Sequence, residues 1–336
     1  MLDMLKQLCL IDGISGDEAT VRNFIISQIK SFCEYKVDNL GNIICFKKGE
    51  KTPKRKIMLD AHTDEVGLII SSITESGYLK FKTVGGIDTA ALLLRRVLIN
   101  GKVNGVIGGK PFHLLDADSR KKLPKKDDLY IDIGAKNRQE AEQLVSLGDS
   151  AVIISDFEIL GDCVKSKALD DRIGCLVLIK LLKEYNNYDF YVTFTVQEEV
   201  GLRGAKTAAF AVKPDFAIAL DSTTAADIAE TPKESSVCVQ GKGVAVSFMD
   251  NATMYDKNLY NAALNSGILC QPKSAVAGGN NAGSIHLSGE GVRTIALSAP
   301  CRYIHTANSI VNIKDIESMY ELTKYMLDNI ANENIK

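Results

Sequence analysis

The sequence predicts an α/β protein, a sheet layered by helices, with a small β-rich module inserted into it. From Ala168 onward, long helical stretches alternate with apolar strands, the pattern of a sheet covered by helices. Between Gly67 and about Asp162, short strands and turns follow one another with one clear helix, the pattern of a small barrel or sandwich. Residues 1–61 read helix, helix, strand, strand, so both ends of the chain build one domain around the insert. The expected division is residues 1–67 with 164–336 for the larger domain and 68–163 for the insert.

Residues 18–32 place Val21, Phe24, Ile25 and Ile29 at helical spacing, with Asp17 as the cap. Residues 37–42 read as a turn, and 43–46 and 56–61 as strands. In the insert, strands are expected at 67–73, 78–84, 96–100, 103–107, 129–133 and 151–155, with a helix around 138–146. Asp170-Asp171-Arg172 then opens a buried helix over 173–182. Strands are expected at 191–196, 216–220 and 294–298, and a helix over 313–330 closes the chain.

A length of 336 residues suits about two domains. With 46% apolar and 24% charged residues, disorder, collagen and coiled coil are excluded. Forty basic against 42 acidic side chains leave no surplus positive field, so no nucleic-acid or membrane partner is expected. The longest apolar run, 175–182, is interrupted by Lys180 and is too short to span a membrane. Asp3 and Lys6 stand where a secretory signal would be apolar, and the eight cysteines are scattered without a C-x-x-C pair. Both features suit reduced thiols in a cytoplasmic protein.

Five polar clusters share one position, at a strand end or a helix start. They are His62-Thr63-Asp64, Asp170-Asp171-Arg172, Gln197-Glu198-Glu199, Asp221, and Arg302-Tyr303-Ile304-His305. Sites in open α/β sheets form outside the carboxyl ends of the strands. Singly, each cluster has a bland reading: a hydrogen-bonded surface histidine, a solvated glutamate pair, a helix-capping or turn-ordering aspartate. Jointly, two imidazoles and several carboxylates suit borderline ions such as zinc or cobalt, not an all-oxygen calcium or magnesium cage. Such a set can hold two ions, which clamp a water and the oxyanion formed when that water attacks a carbonyl. In His62-x-Asp64, residues two apart share a face, so Asp64 can accept the other ring proton of His62. Of Glu198 and Glu199, one can coordinate while the other takes a proton from the water.

The runs 58–67, 167–175, 196–205 and 302–305, with 109–115 and 131–135 in the insert, make the chain similar to the M42 family of dinuclear metallo-aminopeptidases over nearly its whole length. The resemblance implies a zinc-peptidase-like mixed sheet flanked by helices, with the insert as a β-barrel dimerisation domain. It implies two divalent metal ions per subunit, zinc or cobalt. Asp170 would bridge them, Glu199 and His305 would complete one site, and His62 and Asp221 the other. Glu198 would be the general base and Asp64 the residue that orients His62. A cis peptide at Asp170–Asp171 and self-association through the insert, up to a tetrahedral dodecamer, are also implied. Asn281 stands where the family commonly has Asp, and Leu94-Arg95-Arg96-Val97 where it often reads Gly-Gln-Arg-Val.

Other features have plainer readings. Residues 277–283 lack the Lys-Ser/Thr of a phosphate loop and read as a tight turn before a helix. His113 and His286 serve packing or local hydrogen bonds, 120–126 is a solvated loop beside Asp127 and Asp128, and Cys301 lacks a free base. The expected function is removal of N-terminal residues from short peptides with a free N-terminus. The alternatives are a dinuclear deacylase or carboxypeptidase of related fold, or a silent peptide-binding assembly subunit.

Overall fold

In the computed structural model, which describes residues 1–232 and 235–335, the turn expected at 37–42 closes a hairpin. Its first strand, β1 (Glu34–Val37), pairs antiparallel with β2 (Ile43–Lys47). All four residues of β1 are exposed, so no apolar alternation marks it in the sequence. Asp38 Oδ1 closes the turn by accepting the main-chain N–H groups of Leu40, Gly41 and Asn42. Two helices precede the hairpin, α1 (Leu2–Leu10) and α2 (Ala19–Ile29). Asp17 does not cap α2, which starts without a side-chain cap. Its carboxylate instead accepts from Ser150 Oγ at 2.6 Å, a contact across 133 positions that no local pattern announces.

β3 (Ile57–His62) is buried along its whole length. The chain then leaves the sheet for six strands: β4 (Gly67–Ile73), β5 (Leu79–Val84), β6 (Arg96–Ile99), β7 (Val103–Gly108), β8 (Tyr130–Asp132) and β9 (Ser150–Ile153). They close into a barrel in the order β4-β5-β8-β7-β6-β9. Closure removes the unpaired edges that short antiparallel strands would otherwise present. Inward residues, among them Leu68, Phe81, Ile99 and Ile131, form a core separate from that of the main sheet. Two short helices decorate the barrel, α3 (Thr89–Leu92) and α4 (Arg138–Glu142), the latter capped by Asn137.

The rest of the chain runs β10 (Glu158–Leu160), β11 (Cys163–Ser166), α5 (Leu169–Glu184), β12 (Phe190–Thr195), α6 (Arg203–Val212) and β13 (Phe216–Thr224). It continues with β14 (Val244–Val246), α7 (Lys257–Leu264), β15 (Cys270–Pro272), α8 (Ala282–Ile285), β16 (Arg293–Arg302), β17 (Ser309–Asn312) and α9 (Ile313–Ala331). Among the described residues the main sheet has 11 strands, in the order β1-β2-β12-β3-β13-β16-β17-β11-β10, with β14 beside β16 and β15 beside β14. β12, β3, β13 and β16 are mutually parallel, so their carboxyl ends lie together. β13 and β16 pair from Phe216↔Arg293 to Thr224↔Cys301, longer than the apolar stretches suggested, which puts Asp221 inside a strand.

The apolar run in α5 is buried almost all round, as a helix without a polar face requires. It packs with α1, α2 and α9 on one face of the sheet, while α6 and α8 cover the other. Parallel strands covered on both faces read as continuous apolar runs, which is why β3 and β12 were legible.

The start of α5 is tied down by Arg172, which is wholly buried. Its guanidinium donates from Nε to the Thr63 carbonyl at 3.0 Å, and from Nη1 to the carbonyls of Ile11, at 3.1 Å, and Leu8. Nη2 lies 3.6 Å from Glu65, which is itself paired with Lys167 at 2.6 Å. Removing one member of such a buried network leaves charge and carbonyls unpaired. Arg172→Met is therefore expected to lower the unfolding free energy by about 3–5 kcal/mol, read as a lower urea midpoint. An unchanged midpoint would show that these contacts contribute nothing.

Candidate metal centre

Five chain segments meet at the carboxyl ends of the parallel strands. His62 is the last residue of β3 and is 2% exposed. Its Nε2 lies 3.1 Å from Asp170 Oδ1 and 3.9 Å from Asp221 Oδ1. His305 follows β16 in the left-handed region, φ 60°. Its Nε2 lies 3.3 Å from Asp170 Oδ2 and 3.2 Å from Glu199 Oε1. The two oxygens of Asp170 thus face different imidazoles. Asp170 reaches this position because Ala168 turns through φ 53° and the chain stays non-helical at Asp170 and Asp171. The peptide bond between them is cis, as the resemblance implies.

Each imidazole is held from behind by a main-chain carbonyl. Nδ1 of His62 is 3.1 Å from the Asp64 carbonyl, whereas the Asp64 carboxylate is 3.6 Å away. Since a carbonyl can only accept, Nδ1 carries the hydrogen and Nε2 is left to face Asp170. Spacing alone assigned that contact to the carboxylate. The Asp64 carboxylate instead accepts the N–H groups of Glu198, at 3.0 Å, and Glu199, at 3.2 Å, and the Ser15 hydroxyl at 2.6 Å. It fixes the turn that presents the two glutamates, a turn entered through Gln197 at φ 56°.

Burial of so many acids together shifts them apart. Burial pushes Glu198 up to about 8, reinforced by Glu199 and Asp170. Burial also raises Glu199, Asp171 and Asp221, the last reinforced by Asp170. For Asp170, burial is outweighed by His305 and His62 on its two oxygens, which hold it well below the carboxylate range. Burial would lower His305, but Asp170 and Glu199 outweigh it and carry it up to about 11.

Two imidazoles cannot offset this density of carboxylates, and the donor set fits divalent cations. Donor atoms of His62, Asp170 and Glu199 lie within 4.8 Å of one another, as do those of Asp170, Asp171 and Asp221. Glu199 Oε1 and Asp171 Oδ2 are buried without a hydrogen-bond partner, as an oxygen kept for a cation would be. Mixed nitrogen and oxygen donors match borderline transition ions. The structure brings together all seven residues singled out from the sequence, and adds Asp171.

A second buried cluster lies beneath His62. Asp60 accepts from Thr193 Oγ1 at 2.5 Å and from the Asn281 amide at 2.8 Å, and Asn281 also donates to Thr195 Oγ1 at 2.8 Å. Asn281 therefore braces the sheet from the Gly-rich loop and does not face solvent. The sequence signal was a carboxylate inside the apolar run of β3. His286 bonds locally to the Ala282 carbonyl, as expected, and Cys301 is buried. A cavity of about 1120 Å³ at the opposite ends of the strands, lined by Arg55, Phe216 and Arg293, holds none of the seven residues.

The chain is similar to known proteins over nearly its whole length. The M42 glutamyl aminopeptidase family model matches residues 41–322. A putative aminopeptidase of Acetivibrio thermocellus is 41% identical over 329 residues, 96% of this chain and 97% of that one. The structure of a TET aminopeptidase from Thaumarchaeota archaeon SCGC AB-539-E09 superposes with a TM-score of 0.93 at 34% identity, covering 100% of this chain and 98% of that one. The TET1 peptidase of Pyrococcus horikoshii, described as assembling into a tetrahedron or a large octahedral shell, matches with a TM-score of 0.85 at 35% identity, covering 97% and 98%.

Because Asp170 belongs to both donor groups, Asp170→Ala is expected to weaken both equivalents of bound Co²⁺ together, by more than the about 10–100-fold that loss of a merely supporting group brings. Equilibrium dialysis with metal analysis reads this. Loss of one equivalent with the other intact would contradict a shared carboxylate.

Proposed function

This chain belongs to the M42 glutamyl aminopeptidase family and is a peptide hydrolase of the aminopeptidase type; from that premise we propose that it removes N-terminal residues from short peptides with two divalent ions and Glu198 as general base. The observation that carries this reading is the shared position of Asp170 between His62 and His305. His305 and Glu199 would hold one ion and His62 and Asp221 the other, with Asp170 common to both. Zinc or cobalt suits these donors. When bound, such ions supply positive charge that polarises a scissile carbonyl and acidifies water.

The side chains do the rest. Glu198 stands on the turn that Asp64 braces, next to the donor groups. A carboxylate so placed takes a proton from the attacking water and returns it to the leaving amine. Asp64 and the carbonyl behind His62 keep that imidazole and the glutamate turn in register. A free substrate amine is attracted by the acidic cluster, which favours the N-terminal residue as the one removed.

Self-association runs through the insert, 68–163. Its surface exposes Leu94, Leu114, Leu123, Leu144 and Leu147, all more than half exposed, which suits contact with another subunit. A dodecamer is the assembly the family resemblance favours. Among the described residues no helix is long and apolar enough to cross a membrane. The basic loop at 120–126 lies beside Asp127, which pairs with Lys82 at 2.6 Å, and this does not favour a nucleic-acid patch.

Glu198→Gln is expected to keep its metal while kcat falls by about 10²–10⁴-fold, measured on peptides with a free N-terminus. Acetylated peptides should resist cleavage; equal turnover of both would favour a deacylase or carboxypeptidase instead. If wild type proves as inert as Glu198→Gln on every peptide tested, the protein is a silent binding subunit. For the interface, Leu144→Lys with Leu147→Lys is expected to shift the sedimentation profile to smaller species, and an unchanged profile would place the contact elsewhere.

A further inference from the structure

We infer that the inserted barrel is a positioning element of the metal centre: the Gly86 carbonyl fixes His305 through Nδ1, and Gly85 lets the loop come close enough to do so. This rests on reading the site as a metal centre. Nδ1 of His305 lies 2.8 Å from the Gly86 carbonyl, across 219 positions of sequence. A carbonyl can only accept, so Nδ1 carries a hydrogen and Nε2 is turned toward Asp170 and Glu199. His62 is held by the same device, but its carbonyl comes from Asp64, two residues along the chain. His305 must borrow its carbonyl from another domain.

Gly85 and Gly86 lie between β5 and α3, both barrel elements. Gly85 has φ +81°, and a Cβ there would stand 2.7 Å from Val66 Cγ1 and 3.3 Å from the Cβ of Glu199. Only glycine both adopts that conformation and fits against the glutamate turn. A Cβ on Gly86 would sit 3.6 Å from Nδ1, an ordinary contact, but a branched side chain would reach the ring. The next residue, Ile87, is buried in the barrel core, and so is Ala307, two residues beyond His305. One apolar core therefore anchors both the acceptor and the loop that carries the donor.

The consequence is selective. Disturbing the 85–86 loop should weaken the ion position that uses His305 and Glu199, and leave the one that uses His62 and Asp221. The experiment is calorimetric titration of the full-length, chelator-stripped protein with Co²⁺. The variants are Gly85→Ala, Gly86→Val and, as a control for strain alone, Gly101→Ala, a barrel glycine at φ +65° with open space around it. His305→Ala serves as the reference. Gly85→Ala and Gly86→Val are expected to weaken one equivalent by about 10–100-fold, with the other equivalent and the Gly101→Ala protein as in wild type. The effect of Gly86→Val should vanish when combined with His305→Ala. Wild-type binding of both equivalents in Gly86→Val, or equal weakening of both, overturns the inference while leaving the metal centre standing. Failure of wild type to bind Co²⁺ overturns both.

Discussion

A carboxylate between two imidazoles is the constraint that the rest of the structure answers to. Asp170 offers one oxygen to His62 and the other to His305, within hydrogen-bond range of each. Around it lie Asp171, Glu199 and Asp221, buried and with few protein donors of their own. Burying that much negative charge is unfavourable unless positive charge is supplied. The fold therefore spends main-chain groups on orientation: carbonyls behind both histidines, and N–H groups of the glutamate turn on Asp64.

Delivery of these side chains depends on parallel strands ending at one level. β3 brings His62, β12 leads into Glu198 and Glu199, β13 carries Asp221 and β16 leads into His305. Opposite them, Asp170 stands near the start of α5, pinned by Arg172 to the carbonyls of Thr63 after β3 and Ile11 after α1. The barrel is joined to this arrangement at its first strand and at the loop that meets His305, among other contacts.

Much of this was legible because burial and chemistry coincide along the chain. His62, Glu199, Asp221 and His305 each follow an apolar stretch that could only be an interior strand, so a polar residue there stands out. β1 was not legible, since its four residues are all exposed and carry no alternation. Asp17 looks like a helix cap by position, yet its partner is Ser150 in the barrel. Asp64 illustrates a different limit. Spacing places it beside His62, but which of its oxygens touches the ring depends on where the glutamate turn settles, and β12 decides that. Likewise nothing local pairs Asn281 with Asp60 across 221 positions, although a lone carboxylate within β3 signals that a partner must exist.

The most direct test of the central claim is anomalous diffraction from crystals of the cobalt-loaded protein. Two anomalous peaks are predicted on either side of Asp170, one against His62 and Asp221 and the other against His305 and Glu199. A single peak, or peaks that do not share Asp170, would contradict the account.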